Sequence, residues 1–327
     1  MVLLKCILLP SDIEKTQVEV FGKFNHTVTE FILVSFTQDP VTQLVLFVLF
    51  LMVYSVTVVG SITLIILIYT NSRLHTPMYF FIGNLSFLDL WYSTVYTSKI
   101  MVTYISEDKN ISFAGCVAQF FFSGGLAYSE CYLLAAMAYD CYMAISKPLL
   151  YVQVMTQRVC ISLVAPSYLG AFVIRDIITQ ETFTLTFCGN NVIGGFFCDI
   201  PSLWKLVYDV KTNYHIFLYF MLSSNVLTSI VFILASYLFI IAAILKIGST
   251  QGRLKIFPTC GSHRSPVTLY YGSILFIYSC RSTSYSVDMD KIVLGFCTVA
   301  MPMLNSVIYS LRNEDVLKKM RARIHIS

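Results

Sequence analysis

The sequence predicts an all-α membrane protein, a bundle of seven transmembrane helices with an extracellular N-terminus and a cytoplasmic C-terminus. Three observations predict it. The chain has 327 residues, of which 57% are hydrophobic and only 12% charged, where soluble globular chains carry about 25% charge. Seven stretches meet or approach the roughly 20 apolar residues that cross a bilayer. An odd number of crossings places the two termini on opposite faces.

The stretches run over 42–69, 77–99, 113–140, 158–177, 214–245, 256–279 and 291–311. The first, fifth and seventh are clear. The fourth is interrupted by Pro166 and closed by Arg175-Asp176. The sixth carries Arg264 and Pro266; neighbouring helices can satisfy the backbone groups a proline frees. The chain therefore divides into an extracellular tail (1–41), a seven-helix domain (42–311) and a cytoplasmic tail (312–327). No internal repeat is visible, so the paired halves of many transporters are missing.

Orientation rests on weaker signs. With the N-terminus outside, the inner segments hold Arg73, Lys147, Arg158 and eight further basic groups, and the outer segments, Arg175 included, hold ten. Lys and Arg alone barely discriminate. The short inner loops give their charges more weight. Asn25-His26-Thr27 is a glycosylation sequon in the N-terminal tail, which fits a lumenal location. Asn84-Leu85-Ser86 lies inside the second span and is not expected to be modified. The apolar run near Lys5 lacks a following small-residue cleavage site, so the first span is expected to serve as internal signal anchor.

Several function classes drop out. A net charge of +4 is too small to argue for nucleic acid. There is no phosphate-binding glycine loop, no paired Cys-x-x-Cys and no helical zinc motif. No nucleophile, base and oxyanion set appears at a plausible spacing, so an enzyme is not expected, and neither is a cofactor or metal. Cys131, Cys160, Cys260, Cys280 and Cys297 fall in apolar spans, where small apolar packing is the plain reading.

Four segments match one family. The second span opens Leu74-His75-Thr76-Pro77-Met78-Tyr79-Phe80-Phe81 and continues Gly83-Asn84-Leu85-Ser86-Phe87-Leu88-Asp89. The third ends Met137-Ala138-Tyr139-Asp140-Cys141-Tyr142-Met143-Ala144-Ile145. The sixth begins Lys255-Ile256-Phe257-Pro258-Thr259-Cys260-Gly261-Ser262-His263. The seventh ends Pro302-Met303-Leu304-Asn305-Ser306-Val307-Ile308-Tyr309. In this order they resemble mammalian odorant receptors of the rhodopsin-like, G-protein-coupled class, from about Thr29 to Lys318.

The resemblance implies a small volatile odorant bound between helices three, five, six and seven. It also implies a heterotrimeric stimulatory G protein engaged inside, with a rise in cyclic AMP. By analogy the ligand meets Ser123, Ala127 and Tyr128 of helix three, Asn225 of helix five, and Tyr271 and Tyr278 of helix six. The family pairs the positions of Cys116 and Cys198 in a disulfide over the pocket mouth. A second bridge usual in the family is expected to be missing, because Tyr208 stands where the partner of Cys188 would be.

Asp89, a carboxylate at membrane depth, reads as an ion- or water-binding switch with Asn305 and Tyr309. Asp140, Cys141 and Tyr142 occupy the family's Asp-Arg-Tyr site at the G-protein interface. Cys141 lacks the arginine's fork of donors, which predicts weakened coupling or an altered switch. Ser61 replaces the family's asparagine in helix one and is expected to remove a polar tie of roughly 0.6 kcal/mol. Ser306 replaces the proline after Asn305, and Arg264 an apolar residue. These departures imply an alternative, a non-signalling or degenerate receptor copy. Glu130 is expected to bond within the bundle, and residues 313–323 to form a basic amphipathic helix on anionic lipid.

Overall fold

A computed structural model of the chain describes residues 28–33, 39–106, 109–187, 191–193, 197–204, 206–207, 212–246, 267–268, 272 and 299–310. Asn25, Cys188, Tyr208, Pro258, Arg264, Pro266, Tyr271, Tyr278 and the 313–323 tail lie outside the described residues.

Each long helix starts where the sequence supplies a cap. Helix α1, Pro40–Thr70, opens on Asp39, whose carboxylate accepts from the Thr42 hydroxyl and the Thr42 amide, with proline at the first helical position. Those two bonds hold the Asp39 carboxyl below the usual carboxylate range, the hydroxyl bond contributing most. Helix α2, Pro77–Ser106, also opens on proline. Helix α3, Phe113–Ser146, is capped by Ser112, which accepts from the Gly115 amide. Helix α4, Gln157–Phe183, is capped by Thr156. Helix α5 spans Thr212–Lys246. The seventh span is described as helix over 299–310.

Helix α3 packs against α2, α4 and α5, and α1 packs on α2. Three segments, Val41–Thr70, Gln157–Phe183 and Ile216–Ile244, are long and apolar enough to cross a membrane. Their outward side chains suit lipid rather than water: Val45, Val59, Leu169, Phe220 and Leu238 are all more than half exposed. Helices α2 and α3 are less apolar because they carry Asp89, Glu130 and several hydroxyls. Their central packing shields these groups, and Asp89 is 3% exposed.

Two expectations need correction. Arg175-Asp176 do not close the fourth span, because α4 continues to Phe183. Arg175 is 5% exposed and its guanidinium packs on Phe120 of α3, inside the bundle. It therefore also drops out of the outer basic count. Second, Ser61 does not forfeit a polar tie. Its hydroxyl lies 2.8 Å from that of Ser306, and both residues are buried.

The outer end carries a small sheet that periodicity did not announce. Strands β1 (Glu30–Leu33), β2 (Asn110–Ser112) and β3 (Val192–Ile193) lie in the order β2-β1-β3. Strand β1 runs antiparallel to β2, with Phe31 opposite Ile111, and parallel to β3, with Ile32 opposite Val192. Phe31 and Leu33 point inward and are fully buried, alternating with exposed Glu30 and Ile32. The N-terminal segment thus pairs with the loops after the second and fourth spans. All three lie on one side of the membrane, as seven crossings require.

Candidate functional site

The outer end is closed by covalent and aromatic contacts. Cys116, in the first turns of α3, forms a disulfide with Cys198, the Cα atoms 5.6 Å apart. The Cys198 amide also donates to Gln119 Oε1 at 3.1 Å, so the loop is fixed to α3 twice. A disulfide needs an oxidising compartment, which puts this end outside. Phe31 stacks on Phe113 at 6.1 Å and meets Phe187 edge-on at 5.8 Å, sealing the strand over the helices.

Beneath this lid stand the α3 residues expected to face a ligand. Ser123 is buried and donates to the Phe120 carbonyl at 3.2 Å, while Ala127 and Tyr128 follow about one turn deeper and are half-buried. Asn225 of α5 is turned toward α3, where the Tyr132 hydroxyl donates to its Oδ1. Its own Nδ2 donates to the Met221 carbonyl at 2.7 Å. Both ends of this amide are therefore engaged inside the bundle, where it braces α3 against α5. A separate small cavity lies nearer the outer end, lined by Thr182, Leu185, Leu203, Trp204 and Tyr214. Ser123, Ala127, Tyr128 and Asn225 do not line it.

Arg175 reaches this region from α4. Its Nε and Nη2 donate to the Phe120 carbonyl at 2.9 and 2.6 Å, and its guanidinium lies 3.6 Å from the centre of the Phe120 ring. It also hydrogen-bonds Tyr128. The approach depends on two glycines. A Cβ at Gly124 would overlap the Arg175 side chain, and one at Gly125 would lie 2.6 Å from Phe172. Small residues let two membrane helices come this close. The sequence held a usable signal for this residue, since a charge within an apolar span is a functional candidate; reading it as a helix end hid that.

Deeper in the bundle, Asn305 ties three helices together. Its Nδ2 donates to Asp89 Oδ1 at 3.2 Å and to Glu130 Oε1 at 3.3 Å. Asp89 comes from α2 and Glu130 from α3, so one neutral amide bridges two carboxylates in an apolar interior. Asn305 Oδ1 and the Tyr309 hydroxyl are buried with no hydrogen-bond partner among the described residues. Two carboxylates this close need a proton or a cation to offset their mutual repulsion.

At the inner end, Asp140 Oδ1 accepts from the Tyr151 hydroxyl at 2.9 Å. Tyr151 lies in the short helix Tyr151–Val154 between α3 and α4. Burial pushes its phenol well above the usual range, and the Asp140 charge adds to this, so it stays a donor. Cys141 is 7% exposed and clusters with Ile145 and with Ile240 of α5. A small apolar contact thus stands at the family's arginine position. Tyr142 packs its ring 5.6 Å from Phe239 of α5. Tyr132 and Tyr151, which hold Asn225 and Asp140, had no motif to announce them.

A family profile described as "Olfactory receptor" matches residues 50–325. The chain belongs to the olfactory receptor family. It is 64% identical to olfactory receptor 9G1 of Homo sapiens over 297 residues, covering 91% of this chain and 97% of that one. Olfactory receptor 9G19 of Mus musculus is also 64% identical, covering 89% of this chain and 96% of its own. Squid rhodopsin shares the fold, with a TM-score of 0.67 over 87% of this chain and 81% of that one, at 17% identity. This olfactory receptor is accordingly a multi-pass protein of the plasma membrane and not an enzyme.

Proposed function

We propose that this receptor binds small, mostly apolar volatile molecules in the transmembrane pocket and activates a stimulatory G protein, raising cyclic AMP. The observation that carries the reading is the pairing of family membership with an assembled interior. The Asp89–Asn305–Glu130 knot joins α2, α3 and the seventh span at one point, where a change in bound ion, water or proton can alter helix positions. In this reading Ser123, Ala127, Tyr128, Asn225, Tyr271 and Tyr278 contribute to the pocket. Asp89, Asn305 and Tyr309 form the switch, and Asp140, Cys141 and Tyr142 face the G protein. Residues 1–41, glycosylated at Asn25, form the outer tail, and 312–327 the basic inner tail.

One observation favours a second reading. Cys141 is packed into apolar surroundings and supplies no guanidinium to the inner surface. A receptor so altered folds and binds but does not signal. The test is a paired cell assay of the native chain and Cys141→Arg, each with an outer epitope tag, across a broad odorant panel. Surface staining with ligand-dependent cyclic AMP from the native chain supports the first reading. Two surface-exposed proteins of which only the arginine variant responds establish the second.

A further inference from the structure

We infer that Arg175 is an anion-recognition group in the ligand pocket, and that the receptor's preferred ligands are small carboxylic acids with an apolar tail. The inference rests on the odorant-receptor reading and specifies its ligand class. The first ground is a buried charge whose partners are all neutral. Arg175 is 5% exposed. Its contacts are the Phe120 carbonyl, the Phe120 ring and Tyr128, and among the described residues no carboxylate pairs with it. The neighbouring Asp176 is exposed and accepts instead from Gln180 Nε2 at 2.7 Å. The carbonyl, ring and phenol lower the cost of holding a cation inside a membrane bundle but leave its net charge, which a carboxylate would offset.

The second ground is donor capacity. A guanidinium offers five N–H groups in a rigid fork. Nε and Nη2 are directed to one neutral carbonyl, so two of the fork's donors meet an acceptor that carries no charge. The fork matches a carboxylate through two parallel bonds. The third ground is placement. Gly124 lets the guanidinium lie across α3 against Phe120, about one turn below the disulfide-bonded Cys116. Phe120, Phe172 and Tyr128 supply apolar and aromatic surface next to it for a hydrocarbon chain.

A purely mechanical role is the competing account. Arg175 joins α4 to α3 through the Phe120 carbonyl, which any neutral donor of similar length could do. Binding separates the two, and it needs no G protein. The purified full-length receptor is melted in detergent at about pH 7, where carboxylic acids are ionised, with straight-chain carboxylates from propanoate to decanoate. Each is compared with the primary alcohol of the same length. The expected result is stabilisation by carboxylates of a favoured length, with apparent affinity roughly 10- to 100-fold above the matching alcohol, as a charge-assisted pair gives. Arg175→Gln should remove that preference, and Arg175→Lys should keep part of it.

Alcohols binding as tightly as their acids would overturn the inference while leaving the odorant-receptor reading intact. So would an Arg175→Gln receptor that retains the acid preference. If Arg175→Gln does not fold, the native ranking and Arg175→Lys decide. If neither series binds, Arg175 is a mechanical clamp, and the cyclic AMP panel alone then bears on the receptor reading.

Discussion

Ser61 of α1 and Ser306 of the seventh span share a hydrogen bond of 2.8 Å in the buried interior. Each replaces a residue typical of the family, an asparagine and a proline. Taken singly, both substitutions read as losses. Taken together, they form a polar tie between α1 and the seventh span. A Cβ on Gly60 would already lie 3.0 Å from Ser306 Cβ, so the helices are close enough for two short side chains to meet. This pair weighs against reading every departure from the family as decay.

The pair should behave as a unit. Ser61→Ala and Ser306→Ala are each expected to destabilise the purified receptor by about 0.5–1 kcal/mol. The double variant should cost less than their sum, with a coupling of roughly 0.6 kcal/mol. Thermal melting in detergent measures all four corners of the cycle. Strict additivity would mean that the contact contributes nothing.

The interior knot should respond to cations. If Asp89 and Glu130 share a bound ion beside Asn305, sodium should raise the melting temperature of the native receptor. Asp89→Asn should abolish the sodium effect, since one of the two charges is gone. Asn305→Leu removes the bridging donor and should cost about 1–3 kcal/mol by leaving both acids unpaired. An unchanged sodium response in Asp89→Asn would remove the ion from the account.

The outer lid should depend on Phe31. This ring is fully buried against Phe113 and Phe187. Phe31→Ala is expected to cost about 3–5 kcal/mol locally. The effect should appear as faster proteolysis of the N-terminal segment, while the inner contacts stay protected. Cys116→Ser should act on the same region and lower surface staining, since losing a native bridge typically costs about 2–5 kcal/mol in small secreted domains. Equal protease resistance in the Phe31 variant would show that the sheet does not hold the tail.

At the inner end, Tyr151→Phe deletes the donor to Asp140 and should cost about 1.5–3 kcal/mol, because the lost bond meets a charged group. The Tyr151 phenol is raised by burial and by Asp140. A raised group contributes its stability below its unfolded value, about 10 for tyrosine, and loses it only as pH rises through the folded value. The Tyr151→Phe difference should therefore stay flat between about pH 8 and pH 9, above the carboxylate's titration and below the phenol's. A steep change in that window would assign the titration to another group.

The sequence by itself determined the membrane class, the family and the sites of the first five helices. Long apolar runs and local caps such as Asp39 and Ser112 are properties of contiguous residues, so they are legible without a fold. The family motifs also named Asp89, Asn305 and the Cys116–Cys198 pair. Tertiary structure alone decided the rest, because the rest depends on distance between residues far apart in the chain. Arg175 looked like a helix end until its guanidinium was seen beside Phe120 and across Gly124. Phe31 looked like tail until strands from two distant loops paired around it. Ser61 and Ser306, 245 positions apart, looked like two losses until packing put their hydroxyls in contact. Hydropathy reports what a segment prefers as solvent; only packing sets which side chain meets which.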